Sequence, residues 1–181
     1  MRALWFASLA VLVACGGKPA EQAAPPAPEP AAAPVEAAPA PAPAAEAKPD
    51  LAAMSEDERK AWLMKRGEVV YTQGGPGGIA CITCHGPEGK GTPPAFPPLA
   101  GQKGLMGDCA QHAGIVVHGL NMPITVDGVQ YAGAMPAQGT MTDEDIAAVI
   151  SYERMSFGND FGPCLPADVA KARTSPPPVL K

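Results

Sequence analysis

The sequence predicts an all-α domain of short helices, with a long linker before it and a loose tail after it. Two stretches carry apolar residues near helical spacing behind good helix-capping residues, one starting at Ser55 and the other at Thr142. Between residues 18 and 50 almost every residue is Ala or Pro, a composition that buries no apolar face. The chain of 181 residues has only 2 Trp, 3 Tyr and 4 Phe. The domain core is therefore built from small aliphatic side chains or around a group that is not protein.

The charge balance excludes a nucleic-acid-binding role. The chain has 13 Lys+Arg against 18 Asp+Glu, and its formal net charge is −5. Nucleic-acid binding depends on neutralising phosphates with basic side chains, which this composition does not supply. Residues 51–165 alone are acidic, with seven Lys+Arg against twelve Asp+Glu. This predicts protein partners that dock through a basic surface and associate more slowly as the salt concentration rises.

The N-terminus carries an export signal. A basic start is followed by an apolar run over residues 3–13, too short to span a bilayer, and then by the small residue before Cys15. The end of this run, Leu12-Val13-Ala14-Cys15, resembles the lipobox of bacterial lipoproteins. The resemblance implies that residues 1–14 are removed and that Cys15 carries the lipid, so that the protein faces the periplasm from a bacterial membrane. An ordinary signal peptide with a chance cysteine is the alternative, and the choice between outer and inner membrane stays open.

Residues 15–50 are predicted to be a tether. Pro recurs too often for a helix, and such segments favour polyproline II at about 3.1 Å per residue, so this one reaches on the order of 100 Å when extended. A plain solubilising spacer is the other interpretation. Residues 166–181, which include Pro176-Pro177-Pro178, are predicted to be a second flexible segment.

The motif Cys81-Ile82-Thr83-Cys84-His85 is the attachment pattern for c-type haem. Cys81 and Cys84 each add to one vinyl group of the porphyrin, and His85 is thereby placed under the iron as the proximal ligand. Two alternatives exist. A redox-active dithiol is expected within a βαβ pattern, which is missing around this motif. A zinc site needs a second ligand pair, for which Cys109 with His112 is a weak candidate.

The region from Leu51 to Asp160 resembles class I cytochrome c over most of its length. In that family the first and last helices cross closely at a glycine beside aromatic residues, and Gly67, Tyr71 and Tyr152 match this pattern. The resemblance implies a class I cytochrome c fold over residues 51–165, with short helices around one covalently bound haem c.

The loop Pro94-Ala95-Phe96-Pro97-Pro98-Leu99-Ala100-Gly101 is similar to the loop that follows the haem motif in many bacterial members. The resemblance implies that a proline carbonyl, assigned here to Pro98, accepts the ring N–H of His85 and orients the imidazole. It also implies that Phe96 and Leu99 pack on the haem. A plain rigid loop is the other interpretation of four prolines.

The second axial ligand is assigned to Met135. In class I cytochromes this methionine lies in a loop shortly before the last helix, and Met135 precedes the helix that begins near Thr142. Met122 lies much earlier in the chain, and a bis-histidine site through His118 is the further alternative. Packing or exposure is expected for His112 and the other methionines.

The last helix is expected over residues 142–155, with Ile146, Val149 and Ile150 on its core face. The acidic residues Glu144, Asp145 and Glu153 are expected to point away from that face.

Two cysteines, Cys109 and Cys164, remain after the lipid and haem thiols are assigned. In an oxidising compartment an even pair favours a disulfide, which would stabilise the fold by about 4 kcal/mol in the chain-entropy model. Two free thiols are the alternative.

Histidine–methionine ligation leaves no open position on the iron, so the resemblance implies an electron carrier and not an enzyme. The expected function is single-electron transfer between redox partner proteins such as oxidases, reductases, dehydrogenases or other cytochromes. An electron-entry subunit of one such complex is the second hypothesis. A haem-based sensor with a labile axial methionine is the third.

Overall fold

The computed structural model describes residues 49–121 and 123–180. The predicted signal peptide, Cys15, the tether up to residue 48 and Met122 lie outside the described residues. The elements follow in the order α1 (Glu56–Gln73), α2 (Ile82–His85), α3 (Lys103–Met106), α4 (Cys109–His118), β1 (Ile124–Val126), β2 (Val129–Tyr131), α5 (Asp143–Met155) and α6 (Pro166–Thr174). Within the described part of the chain, none of these helices combines the length and the apolar character needed to cross a membrane.

Helix α1 begins where the sequence predicts, at a capping box. The Ser55 hydroxyl accepts the backbone N–H of Glu58 at 3.3 Å, and the Glu58 carboxylate accepts the backbone N–H of Ser55 at 3.0 Å. Two backbone N–H groups at the start of the helix, which would otherwise be unpaired, are thus satisfied by side-chain oxygens. The buried face of α1 carries Leu63, Gly67, Val70 and Tyr71.

The close crossing of α1 and α5 at Gly67 is confirmed. A Cβ atom at Gly67 would run into the backbone carbonyl of Ala148 and lie 2.6 Å from the Cβ of Tyr152, so this position has room only for hydrogen. The rings of Tyr71 and Tyr152 lie beside the crossing, with centroids 5.5 Å apart. Close backbone contact offsets the helix-propensity cost of about 1 kcal/mol that an interior glycine carries.

Helix α5 is capped at its N-terminus by Thr142, whose hydroxyl accepts the backbone N–H of Asp145 at 3.2 Å. The predicted core face is confirmed, since Ile146, Val149 and Ile150 are each 0% exposed.

The expectation that Asp145 and Glu153 point away from the core is wrong. Both side chains are buried, and Arg66 Nε donates to Asp145 Oδ1 at 2.7 Å. The reason is that α1, α4 and α6 all pack against α5, so more than one of its faces is covered. A single apolar stripe in the sequence indicates only one covered face.

The expected flexible segment 166–181 contains helix α6, so that prediction is wrong for Pro166–Thr174. Val169 is fully buried and Ala172 is 2% exposed, because α6 packs on α4 and α5. Pro166 occupies the first turn of the helix, where proline leaves no intrahelical hydrogen bond unmade. With two buried residues in nine, the segment carries no apolar stripe long enough to predict a helix.

The structure joins Cys109 and Cys164 in a disulfide, with their Cα atoms 5.6 Å apart. The bond ties the first residue of α4 to the segment that leads into α6. The hydroxyl of Ser151 accepts the backbone N–H of Cys164 at 2.9 Å and donates to its carbonyl at 3.0 Å, which holds this segment against α5 as well.

A hairpin of β1 and β2 adds a small sheet that the all-α prediction does not include. Ile124 pairs with Tyr131 and Val126 with Val129 in antiparallel register. The turn residues Asp127 and Gly128 have φ of 49° and 78°. Two consecutive positive φ angles characterise the two-residue hairpin turn that Asp-Gly favours. The domain is otherwise helical, as predicted.

Candidate haem-binding site

One cavity, of about 940 Å³ including its open mouth, lies between α2, α4, α5, the hairpin and two loops. Its wall is mostly apolar. The predicted site residues that face it are Cys81, Cys84, His85, Phe96, Leu99 and Met135. Its remaining ionisable or amide side chains are those of His112, Tyr131, Gln138 and Glu153. Sequence-distant segments are thus brought together around one space.

The two thiols lie on a single helical turn. Helix α2 spans Ile82–His85, Cys81 occupies its N-cap position, and Cys81 and Cys84 are not bonded to each other. Burial and then the charge of Glu153 raise the pKa of the Cys81 thiol. A redox-active dithiol depends on a lowered thiol pKa, so this environment argues against dithiol chemistry.

Among residues 49–121 and 123–180, the proposed second ligand pair of the zinc alternative is not available. Cys109 is bonded to Cys164 and offers no thiolate. His112 is also engaged, because its Nε2 forms a buried hydrogen bond with Glu153 Oε2 at 3.0 Å.

His85 is buried and its ring is oriented by the loop after the motif. Its Nδ1 lies 3.0 Å from the carbonyl oxygen of Pro97, so Nδ1–H donates there and Nε2 is left available to coordinate a metal. The predicted acceptor, Pro98, is wrong by one residue. Adjacent prolines cannot be distinguished by spacing, because the direction of each carbonyl depends on how the loop folds.

That loop is held by the turn that follows the motif. The carbonyl of Gly89 accepts the N–H groups of Leu99 at 2.7 Å and of Ala100 at 3.0 Å. Phe96 pairs with Thr92 across a backbone bridge, which closes the loop before Pro97. Phe96 and Leu99 consequently lie on the cavity wall, where the resemblance places them.

Met135 is carried by a loop that is pinned to the end of α4. Leu120 donates its N–H to the Met135 carbonyl at 2.9 Å, and Met135 donates its N–H back to Leu120 at 2.8 Å. The Gln138 side chain secures the same loop, because its Oε1 accepts the Ile79 N–H at 2.9 Å. Met135 and His85 thus face one cavity, and ligation of iron by Met135 stays a prediction.

The rival ligands are placed differently. His118 Nε2 donates to the carbonyl of Ala172 at 2.9 Å and does not line the cavity, so the bis-histidine alternative loses its support. Met106 does line the cavity, but its sulfur lies 3.6 Å from the Asn159 amide nitrogen, which donates to it. Met122 lies outside the described residues.

Arg173 of α6 clamps the segment between Met135 and α5. Its Nε lies 2.6 Å from Asp143 Oδ1, its Nη2 donates to the Met141 carbonyl at 2.6 Å, and its Nη1 donates to the Gly139 carbonyl. Three charge-assisted hydrogen bonds from one planar group fix orientation as well as position.

We expect Arg173→Ala to loosen the Met135 loop, because the two carbonyls lose their donor. The oxidised holoprotein should bind added imidazole at the iron at least tenfold more tightly than wild type, as followed by absorption titration. Lys171→Ala on the exposed side of the same helix is the control and should leave this affinity unchanged. Equal imidazole affinities for the two variants would show that the clamp does not hold the methionine.

Four polar residues of the cavity wall were not assigned to the site from the sequence, and one of them, Tyr131, is 4% exposed. Gln138 is 5% exposed, His112 is 4% exposed and Glu153 is 3% exposed. The signal for His112 was present, since it precedes the apolar run Gly114-Ile115-Val116-Val117 and shares a helix with it. Glu153 carried no such signal, because an acidic residue at the end of a helix usually faces water.

The donor set and the wall fit haem c. Two unpaired thiols on one turn can form thioethers, an imidazole nitrogen points to the same space, and a methionine thioether faces it from another segment. The apolar wall suits a macrocycle that is itself largely apolar. This combination matches histidine–methionine ligation of a covalently attached haem.

Comparisons with known proteins agree with this chemistry. A family model described as Cytochrome c matches residues 64–153. Cytochrome c-552 from Thermus thermophilus is 34% identical over 104 residues, which cover 51% of this chain and 78% of the relative. The cytochrome c subunit of alcohol dehydrogenase (quinone) from Gluconobacter oxydans is 33% identical over 102 residues, which cover 55% of this chain but 21% of that longer protein.

Proposed function

The chain belongs to the cytochrome c family, carries haem c and transfers electrons, and on that premise we propose that it does so as a lipid-anchored protein of the periplasm. In this proposal Cys81 and Cys84 hold the haem and His85 and Met135 ligate its iron. The protein passes single electrons between larger redox partners. The N-terminal motif ending at Cys15 supports the anchor.

The observation that carries the electron-transfer site is the placement of Cys81, Cys84 and His85 on one turn, facing the same apolar cavity as Met135. The Pro97 carbonyl holds the His85 ring in place and strengthens its donor nitrogen. The haem supplies the one-electron chemistry. In this proposal the apolar wall would exclude water from the haem, and His85 and Met135 would supply the two ligands to its iron.

Met135→Ala tests the axial assignment. We expect the oxidised variant to lose the methionine–iron charge-transfer band, because alanine offers no ligand atom. We also expect the potential to fall by more than 59 mV, a tenfold change in the ratio of oxidised to reduced protein, because methionine ligation raises it. Absorption spectroscopy and a redox titration of the purified holoprotein measure both.

Met155→Ala is the matched control, because Met155 is half-buried on α5 and does not line the cavity. It should keep the band and the potential. A band that survives Met135→Ala would show that another residue ligates the iron. Rapid binding of carbon monoxide by the reduced wild type would contradict a stably bound methionine and favour a sensor.

Cys15→Ala tests the anchor. Lipid modification of a cysteine with two or more acyl chains holds a protein firmly to a membrane, whereas one chain binds marginally. In a bacterial host that processes lipoproteins, we expect the wild type in the membrane fraction and the variant in the soluble periplasmic extract. Haem staining of the fractions measures the distribution. Equal distribution of the two proteins would mean that Cys15 is not the anchor.

A second candidate function is a fixed subunit of an oxidoreductase complex. The relative from Gluconobacter oxydans is named as the cytochrome c subunit of a quinone alcohol dehydrogenase, which supports this arrangement. The acidic domain supports partners with a basic docking surface in either case. A dehydrogenase or oxidase that stays bound to the wild type through detergent extraction and size-exclusion chromatography would favour the subunit over the mobile carrier.

A further inference from the structure

A buried ionisable pair forms part of the cavity wall. His112 of α4 and Glu153 of α5 meet with Nε2 and Oε2 3.0 Å apart, and their side chains are 5% and 4% exposed. Both line the cavity that also holds the thiols and the axial ligands. Electron transfer as described above does not require either residue.

The hydrogen-bond partners indicate the charge of the pair. In the described residues the Nδ1 of His112 is buried and has no hydrogen-bond partner. If His112 were doubly protonated, or if Glu153 were protonated and donated to Nε2, then Nδ1 would carry a buried N–H without an acceptor. A neutral His112 whose Nε2–H donates to an ionised Glu153 leaves only a bare lone pair, which is the least costly arrangement. The pair therefore holds one net negative charge.

The surroundings of Glu153 do not neutralise this charge. The ionisable groups that face it are Tyr71 from α1, Cys81 from the start of α2 and His112 from α4. Burial raises the pKa of Tyr71, and its hydroxyl donates to the Gly86 carbonyl at 2.6 Å. In the described part of the chain none of these groups is a cation.

Its neighbour along α5, Arg154, is directed elsewhere. The Arg154 Nε donates to the Gly162 carbonyl at 2.8 Å and its Nη2 to the Phe161 carbonyl at 2.5 Å. The guanidinium therefore holds the segment after α5 and does not approach the carboxylate as a partner.

We propose that Glu153, held by His112, is the buried counter-charge that lowers the reduction potential of the haem. The inference rests on the proposed haem site. Oxidation adds one positive charge to the iron, and a carboxylate in a wall of low polarity stabilises that charge more strongly than it would in water. His112 is the positioning residue, because its Nε2 lies 3.0 Å from the carboxylate and fixes it in the cavity wall.

Packing alone does not account for the pair. Well-packed apolar residues of similar volume are usually as stabilising as a buried polar pair, since taking charges out of water is costly. The neighbours of Glu153 on the buried face of α5, Ile150 and Val149, are apolar and fully buried. The charge of the Glu153 carboxylate, placed among these apolar side chains, therefore acts on the haem proposed to occupy the cavity.

Glu153→Gln in the holoprotein is the direct test, because glutamine keeps the shape and a hydrogen bond to His112 but removes the charge. The potential should rise by at least 59 mV, a tenfold change in the ratio of oxidised to reduced protein at fixed ambient potential. Glu68→Gln, on an exposed position of α1, is the matched control and should leave the potential unchanged. Equal potentials for the two variants would overturn the proposal.

Two substitutions at His112 provide a second test that does not alter Glu153. His112→Leu removes the hydrogen bond that holds the carboxylate in the cavity wall, so the potential should rise as in Glu153→Gln. His112→Gln keeps an N–H donor and should retain the wild-type potential. If the leucine and glutamine variants share one potential, the positioning role is wrong, even where Glu153→Gln fails to fold.

The methionine–iron band is recorded for every variant before its potential is measured. A wild type without haem or without the band would refute the proposed function. An intact band with an unshifted potential in Glu153→Gln would refute the counter-charge alone.

Discussion

Replacing Cys109 and Cys164 together by alanine should lower the free energy of unfolding by about 4 kcal/mol. The disulfide spans 55 residues, and the chain-entropy model gives about this value for a loop of that size, because the cross-link restricts the unfolded chain. We expect the native state of the variant to keep the hydrogen bonds that Ser151 makes with the backbone of residue 164. The loss therefore comes mainly from the unfolded ensemble.

Denaturant unfolding of the holoprotein, followed by far-ultraviolet circular dichroism, measures this change. Wild type treated with a reductant provides the control, since it should approach the stability of the double variant without any substitution. With the haem already reduced by ascorbate in both proteins, the variant itself should not respond to a thiol reductant. A difference of less than about 1 kcal/mol between variant and wild type would mean that the bond adds little beyond the packing of α6.

Gly67→Val should lower the free energy of unfolding by about 3 kcal/mol. Overpacking a dense contact costs about 1–3 kcal/mol, and here the new side chain meets the backbone carbonyl of Ala148 rather than a flexible tip, which favours the upper end. Helices α1 and α5 would have to separate at their crossing. Since Tyr71 and Tyr152 pack beside it, their ring contact should weaken as well.

Gly104→Val on α3 is the matched control for this substitution, because a Cβ atom at Gly104 has no neighbour within 4 Å. Denaturant unfolding should give this variant nearly the wild-type free energy of unfolding. Near-ultraviolet circular dichroism should change for Gly67→Val alone. If both substitutions lower the free energy of unfolding by the same amount, the effect of Gly67→Val comes from the backbone preferences of the two residue types and not from the helix crossing.

The sequence predicted some residues of the site correctly and others only approximately. Cys81, Cys84 and His85 were assigned because the spacing of an attachment motif is local and one turn of helix presents all three. Gly67 and Met135 were assigned by resemblance. The structure confirms the helix crossing at Gly67 and shows Met135 on the cavity wall, whereas ligation of iron by Met135 stays a prediction. Pro98 was assigned in place of Pro97 because neighbouring prolines differ only in the direction of their carbonyls.

Glu153 and helix α6 could not be predicted, for a common physical reason. Glu153 is shielded from water because α4 packs over the end of α5. The residues of α5 alone do not indicate that contact. Helix α6 is short and buries only Val169 and Ala172, so it is stabilised by docking and by the disulfide rather than by its own pattern. Short-range signals do not report such long-range contacts.

The sequence by itself determined the covalent haem, the two main helices and the largely helical class, and it predicts His85 as the proximal ligand, because each depends on residues close together in the chain. Only the tertiary structure decided which carbonyl orients His85, which residues complete the cavity wall, and that α6 and Arg173 secure the loop of Met135. Those features arise from segments far apart in sequence, and their energies exist only once the segments are packed.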